Sequence, residues 1–532
     1  MRPSVLWTLL WLGLVAVVLA TRPLLPMDET RYLSVAWEMM QGGDFLVPHL
    51  NGETYSHKPP LMFWLIDLGW AAFGVNETWA RLVVPLMGLA NLFLTAAIGG
   101  RLWPQAPERG QAAAFVLCGA LFFTLFGTLT FFDLMLGFCA LVGLLGLLMA
   151  WREGGWKGFG LVALGIGLGI LAKGPAILLH ILPVALAAPW WAPRLAGPGR
   201  PWKAWYQGLG LAVLAGAAIG LAWAVPAGIA GGEDYRRAIF WGQSAGRVVD
   251  SFAHKRGWWW YLAVLPGLLL PWTLWPPLWR AQRRWPDLLS DGAVRFCLVW
   301  FLSALVVFSL ISGKQLHYLL PEFPAIALLA ARLIDGQDSR RLDRIAVGGF
   351  GILVGVAMLL EPVAERFVRV PDWLEGMDAG WGLLPVAAGL ALILRPMASP
   401  LARAAGPAAL SVLLVASAHL AAMPELRETF DLEPLARRLA QWEKEGYVLA
   451  HYGKYHGQFH FLGRLEKPMA AVGDGEIADW LAATSKGKVV TYHRVRPTEG
   501  NPDLVRQFRR SWIAVWDIEE VRRDPNRIKR LS

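Results

Sequence analysis

The sequence predicts a polytopic α-helical membrane protein carrying a small α/β domain at its C-terminal end. Three observations lead there. Only 17% of the 532 residues are charged and 55% are hydrophobic, whereas a soluble domain carries roughly a quarter of its residues charged. Apolar runs of membrane-spanning length recur from the N-terminus to about residue 422. Lys and Arg crowd every second loop between those runs, as cytoplasmic loops do. The apolar excess excludes intrinsic disorder. Cys118, Cys139 and Cys297 all lie in apolar runs without a C-x-x-C pair, which excludes a disulfide framework and a cysteine metal site. The formal charge of +10 would suggest nucleic acid in a soluble protein. Here the positions of the charges decide otherwise.

A spanning helix needs about 20 mostly apolar residues. Such runs lie near 4–20, 79–100, 110–127, 134–151, 158–172, 174–191, 205–226, 257–279, 292–312, 317–334, 343–360, 379–395 and 404–422, about thirteen spans on this criterion. The first could also be a signal peptide ending at Val18-Leu19-Ala20. A retained anchor is expected, because unusual polar residues follow at once. Arg101 and Arg109, then Arg152 and Lys157, Arg194 to Lys203, Arg280 to Arg284, Arg332 to Arg344, and Arg395 with Arg403 fall in alternate loops. That pattern places the N-terminus inside and the segment from about 424 outside. Residues 59–75 are also apolar, but they open on Pro59-Pro60 and carry Asp67. Counting them as a span would move every downstream arginine cluster outside, so an interfacial helix is expected. The predicted organisation is a membrane domain over 1–423, with a first external loop at about 21–78, and an external α/β domain over 424–532.

The external loops break the charge rule. The first holds Asp28-Glu29-Thr30-Arg31-Tyr32 and His57-Lys58-Pro59-Pro60. Asp133 stands just before a span and Lys173 at a tight turn. The loop at about 227–256 carries Arg236, Arg237, Arg247, His254, Lys255 and Arg256, and that at 313–318 carries Lys314, His317 and Tyr318. Any one of these suits ordinary interfacial anchoring. As a set, on one side and with two aspartates, they suit a membrane-edge site with acids for chemistry and cations for a phosphate. Glu29 joins Asp28 and Asp133 among the candidate acids. Arg31, Lys255, Arg256 and Lys314 join Lys58 among the candidate phosphate-binding groups.

Asp28 to Tyr32, Pro48 to Glu53, Lys58 to Leu61, Asp133, Lys173-Gly174-Pro175, His254-Lys255 and Lys314 to Pro321 together resemble the lipid A 4-amino-4-deoxy-L-arabinose transferases. These belong with the protein O-mannosyltransferase-like glycosyltransferases of the GT-C fold. The likeness runs from about residue 25 to 335. It implies a two-helix first external loop, a polyprenyl-phosphate sugar donor such as undecaprenyl phosphate, and transfer on the outer face of the bacterial inner membrane. It maps the catalytic aspartate onto Asp28 and the second external aspartate onto Asp133. Lys58 and Tyr318 map onto donor-phosphate ligands. One position departs: an acidic residue often precedes the KPP lysine, and here it is His57. With His254 it would offer two imidazoles to a zinc-like divalent metal, although two ligands do not make a site. The change also loosens the assignment of the arabinose substrate.

Breaking a sugar–phosphate bond develops negative charge on the departing phosphate, which Lys58 and the loop arginines are placed to stabilise. No P-loop is present, so no nucleotide is expected. Asp28 would act as a base for an acceptor hydroxyl or orient the acceptor. The acceptor itself, lipid A or another envelope glycan or protein, is left open. The chain is expected to act as a monomer among membrane lipids. Two alternatives compete: a transporter or flippase, which would place charge near the midplane and show repeated halves, and a non-catalytic scaffold, against which both aspartates argue. In the outer segment, helical runs (Pro434 to Glu445, Gly475 to Ala483) alternate with strand-like pieces (Tyr447 to Tyr452, Lys488 to Tyr492, Trp512 to Asp517). Its tract His451 to His460 reads as strand packing in preference to metal binding.

Overall fold

The computed structural model describes residues 2–195, 197–242, 255–367, 376–397, 399–525 and 528. The chain divides into two compact units, one of Met1–Ala20, Ser56–Met62 and Asn76–Ala421, the other of Thr21–Tyr55, Phe63–Val75 and Ala422–Ser532.

In the first unit all thirteen apolar runs are largely helical, but not all are single helices. Among the described residues nine helical segments are long and apolar enough to cross a membrane. Run 110–127 breaks at Gly119 into Glu108–Cys118 and Leu121–Phe126. Run 257–279 is divided into Trp260–Leu268, Trp272–Leu274 and Pro276–Arg280, because Pro271 and Pro276 cannot donate to a continuing helix. The apolar stretch 157–186 is a hairpin of two legs. Helix Phe132–Arg152 carries Asp133 in its first turn and Trp151 near its end. Lys173 meets Asp133 at 2.5 Å, and Trp191 packs edge-on against Trp151 at 6.5 Å. The chain therefore reverses between them, at Gly174 with φ 73°. Small residues let these helices approach closely: a Cβ on Gly158 would lie 2.3 Å from the Ala150 nitrogen.

The contacts within this unit sort the loops into two groups. Arg152 donates to the Arg101 carbonyl, Arg109 pairs with Asp335, Arg280 with Asp343 and Arg332 with Asp291. Each joins two loops read as internal. At the other end Asp133 meets Lys173 and His317, and Lys314 meets the Arg256 carbonyl, each joining loops read as external. Arg81, opening helix Glu77–Leu102, reaches the Val18 carbonyl near the end of Pro3–Thr21. The end of the first span and the start of the next thus share a side, and 59–75 does not cross. Its helix, Leu61–Phe73, has 13 residues, about 20 Å of rise against a core of about 30 Å. The first helix is packed into the bundle: Trp7 and Trp11 are fully buried, and the Trp11 indole donates to the Pro85 carbonyl at 2.9 Å.

The second unit contains a five-stranded mixed sheet. Its strands are β3 (Val448–Tyr452), β4 (Ala470–Val472), β5 (Gly487–His493), β6 (Leu504–Phe508) and β7 (Ser511–Asp517), in the order β4-β3-β5-β7-β6. β3 runs parallel to β4 and β5, and β7 antiparallel to β5 and β6. Ala450, Val489, Ala514 and Trp516 pack with Ile477, Leu481 and Ile518 to form its core. Helix Glu433–Lys444 buries Leu435, Ala436, Leu439 and Trp442 along one face. The three central strands and both longer helices match the expected pieces. The two strands missed by the sequence reading are the edges: β4 has three residues, and β6 carries Arg506-Gln507 at its centre. Within His451 to His460 only His451 and Tyr452 are strand; the rest is loop leading into a short helix, His460–Gly463.

Most of the first external loop, drawn with the membrane domain on sequence grounds, groups instead with this outer unit. Helix Asp28–Gly42 is tied to it by the Ser34 hydroxyl donating to the Gly457 carbonyl at 2.6 Å and the Trp37 indole donating to the Leu465 carbonyl at 2.9 Å. A two-residue hairpin, β1 (His49–Leu50) with β2 (Glu53–Thr54), turns at Asn51-Gly52, both with positive φ, as such a turn requires. The Asn51 amide exchanges hydrogen bonds with the Met469 backbone at 2.9 and 2.8 Å. Trp70 stacks on Phe461 at 5.2 Å. These bonds join residues hundreds of positions apart, which no local pattern can display.

Asp67 sits on the same helix as Trp70, and neither of its carboxylate oxygens has a hydrogen-bond partner among the described residues. Burial pushes this carboxyl up to about 8 from an ordinary 3.8. Between those values the folded protein keeps a proton that the unfolded chain releases, so stability falls as pH rises. Asp67→Asn should remove that loss. Thermal midpoints at pH 5 and pH 9 should diverge in the wild type by the equivalent of a few kcal/mol, since each tenfold change in proton affinity is worth about 1.4 kcal/mol. In the variant they should stay together. An equal pH dependence in both proteins would refute the assignment.

Candidate active site

Two charged clusters are built from the external-loop residues, one in each unit. In the membrane unit Asp133 opens helix Phe132–Arg152, where the helix dipole favours an acid. It is almost fully buried. One carboxylate oxygen takes the Lys173 ammonium, and the other lies 3.8 Å from His317 Nε2. Lys58 also lies within its electrostatic reach, with its ammonium 5.2 Å from the centre of the Phe132 ring. Lys173 lies 4.7 Å from the centre of the Tyr318 ring. One carboxylate thus pairs with Lys173 and approaches His317, with Lys58 in its electrostatic reach, and Phe126 and Phe131 pack against His317. Such a cluster can accept an anion while its own acid fixes the cations in place.

The supports for this cluster lie behind it. His180 and Glu322 form a fully buried pair, joining the helix that follows Lys173 to the turn Leu316–Glu322 that carries His317 and Tyr318. Spans nearly free of interior charge are what the sequence predicts, and this pair is an exception. Buried ionisable groups within a bundle are tolerated when they pair. The Tyr261 hydroxyl donates to the Gln315 carbonyl at 2.9 Å. The Arg256 amide donates to the Ser312 carbonyl at 3.2 Å, and Lys255 bridges to Gly313. Lys314 is buried, its ammonium donating to the carbonyls of Arg256 and Ile311. Its charge therefore locks backbone in this arrangement. Arg256 remains exposed, its guanidinium 6.0 Å from the centre of the Trp260 ring.

In the outer unit Asp28 begins helix Asp28–Gly42. Its side chain is 45% exposed. Oδ1 accepts from Arg31 and, at 3.5 Å, from the Tyr32 hydroxyl, and Oδ2 has no hydrogen bond among the described residues. Burial, reinforced by the Asp28 charge, pushes the Tyr32 hydroxyl up, so it remains a donor. Glu29 has a different fate. It is fully buried against Arg22 in a two-pronged pair and also accepts from the Leu25 amide at 2.9 Å. Its carboxylate shapes the turn that delivers Asp28 and is not free for chemistry.

Of the expected metal pair, His57 is exposed and His254 lies outside the described residues, as does Arg247. No group of three or more metal-ligating residues occurs among the described residues. His57 is one of the three or four ligands a zinc ion needs, and the described residues add no others to it. Lys173 and His317, members of the external set to which the sequence assigns no individual role, prove to be the nearest partners of Asp133. The sequence carries a signal for both: each is a basic group in a loop that should have none.

Positions 57–223 match the family profile described as dolichyl-phosphate-mannose-protein mannosyltransferase. The undecaprenyl phosphate-α-4-amino-4-deoxy-L-arabinose arabinosyl transferase of Pseudomonas paraeruginosa is 33% identical over 414 residues, covering 75% of this chain and 71% of the relative. That of Pseudomonas aeruginosa is 33% identical over 418 residues with the same coverage. Among solved structures, ArnT from Cupriavidus metallidurans bound to undecaprenyl phosphate superimposes with a TM-score of 0.75 at 19% identity, covering 96% of this chain and 97% of that one. Its apo form gives 0.76.

Proposed function

The chain belongs to the undecaprenyl phosphate-α-4-amino-4-deoxy-L-arabinose arabinosyl transferase family, and on that premise we propose that it moves 4-amino-4-deoxy-L-arabinose or a closely related sugar from undecaprenyl phosphate to lipid A or another envelope glycan. It is a multi-pass membrane glycosyltransferase of the GT-C fold that draws its sugar from a polyprenyl-phosphate donor. Transfer, not lipid transport, is what the family carries. We place it in the inner membrane with its active face toward the periplasm, acting as a monomer.

The observation that carries the donor assignment is the Asp133 cluster. In the proposed reaction the acceptor oxygen attacks the anomeric carbon as the bond from that carbon to the phosphate oxygen breaks, and polyprenyl phosphate departs with the electron pair. Lys58, Lys173 and His317 face the growing charge in a setting with little water, where such interactions are strong. Tyr318 lies against the Lys173 ammonium and completes the phosphate side. Asp28, the catalytic aspartate that the resemblance implies, takes the proton of a hydroxyl acceptor on Oδ2 or orients the acceptor; a phosphate acceptor is already ionised and needs no base.

Reconstitution tests the reading. Proteoliposomes holding the full chain, undecaprenyl-phosphate 4-amino-4-deoxy-L-arabinose and lipid A should yield lipid A heavier by the aminoarabinosyl unit in the mass spectrum. Unmodified lipid A beside a consumed donor and another labelled glycan would replace the acceptor. A donor left intact with every acceptor would overturn the donor assignment.

A further inference from the structure

The tract His451 to His460 holds a histidine whose side chain the fold does not use. Tyr455, Gln458 and His460 are buried and spent on one another and on the sheet. The Tyr455 hydroxyl shares a 2.8 Å hydrogen bond with His460 Nδ1, and the Gln458 amide lies 3.2 Å from both His451 Nε2 and the Tyr492 hydroxyl. His456 differs. It is half-buried, its amide donates to Gln458 Oε1 at 3.1 Å, and its imidazole makes no hydrogen bond among the described residues.

Its position is fixed from both sides. Gly457, with φ 73°, offers its carbonyl to the Ser34 hydroxyl at 2.6 Å, and the same hydroxyl accepts from the Phe461 amide at 3.0 Å. A Cβ at Gly457 would come within 2.4 Å of Leu50, so the loop is pressed against both the helix that begins at Asp28 and the hairpin. That clamp sets the imidazole in the electrostatic field of Asp28 and Arg31 on the helix and Lys454 in its own loop. Burial first, then the Arg31 and Lys454 charges, hold the imidazole below its ordinary value, with Asp28 pulling the other way. At neutral pH it is uncharged, with one ring nitrogen to donate and one to accept.

We propose that His456 is an acceptor-side specificity residue of the transferase, its imidazole, held on the loop clamped to the helix that Asp28 begins, hydrogen-bonding the acceptor. The role rests on the transfer reaction proposed above and brings the outer α/β domain, otherwise a scaffold for helix Asp28–Gly42, into acceptor recognition. Lys454 and Arg31 supply a cationic flank suited to an acceptor that carries phosphate.

The test separates this role from structural support. In proteoliposomes with undecaprenyl-phosphate 4-amino-4-deoxy-L-arabinose as donor and lipid A as acceptor, His456→Ala should raise the acceptor KM about tenfold, the value of one such hydrogen bond. The donor KM and the kcat at saturating acceptor should change less than about twofold, because a lost ground-state contact moves KM alone. His456→Gln, which keeps a donor and an acceptor, should restore most of the acceptor KM. Arg437→Ala, on an exposed helix face, should leave all three unchanged. An acceptor KM unaltered by His456→Ala would overturn the proposal, as would donor and acceptor KM rising together with a lowered thermal midpoint and no rescue by Gln. A wild type that consumes donor but ignores lipid A would instead sink the lipid A reading, and this proposal with it.

Discussion

Substituting Asp28 by Asn should lower sugar transfer by about 10²–10⁴-fold, the range spanned by loss of a positioned acid–base group, while leaving the protein folded. The substitution is nearly isosteric. The Asn oxygen still accepts from Arg31 and from Tyr32, the two groups that hold Asp28 Oδ1, so the start of helix Asp28–Gly42 is preserved. What disappears is the negative charge on Oδ2, the oxygen with no hydrogen bond among the described residues. A labelled donor assayed with wild type and variant in the same membranes measures the effect. Equal transfer by both would remove Asp28 from the chemistry. Loss with a hydroxyl acceptor but not with a phosphate acceptor would identify Asp28 as a base.

Replacing Lys173 by Met should do two things at once. It removes one of the cations proposed to face the donor phosphate, so transfer should fall by about 10²-fold or more, as when a donor to developing charge is deleted. It also strands Asp133, almost fully buried, with His317 at 3.8 Å as its nearest remaining partner. Breaking one side of a buried pair costs about 3 kcal/mol or more, and the thermal midpoint should drop accordingly. The double variant Lys173→Met, Asp133→Leu should recover the midpoint, because no uncompensated charge remains, without recovering activity. Recovery of both would mean that the pair serves only the fold. Glu29→Gln is the contrasting case: with Arg22 left unpaired it should lower stability, and any loss of transfer should follow the loss of fold.

The membrane architecture was legible because it obeys rules that act locally. Spans announce themselves by length and apolarity, and orientation by the arginines between them. The non-crossing of 59–75 followed from charge parity, and the contact of Arg81 with the Val18 carbonyl bears it out. Breaks inside the runs at 110–127 and 257–279 were not legible, since a proline or glycine in an apolar run sometimes kinks a helix and sometimes ends it. In the outer unit the buried strands β3, β5 and β7 showed their pattern, whereas the edge strands β4 and β6, short or polar, did not.

For the candidate site, the residue types were visible and their partners were not. Lys58 stood out as a basic group on the side where few are expected, with Asp28 and Asp133 as acids in the same loops, and the family resemblance added Tyr318. Composition could not reveal that Glu29 is consumed by Arg22, that Lys314 is consumed by two carbonyls, or that Asp133 draws on Lys173 and His317, 40 and 184 positions away in a chain of 532. The sequence by itself determined a membrane protein of many spans and the alternation of charge in the loops between them, because hydrophobicity and charge act on each segment separately. Only the tertiary structure decided which acids are clamped by a partner, and that most of the first external loop groups with the second unit. The physical reason is that a buried charge is settled by the partner that neutralises it, and that partner is chosen by packing between distant segments.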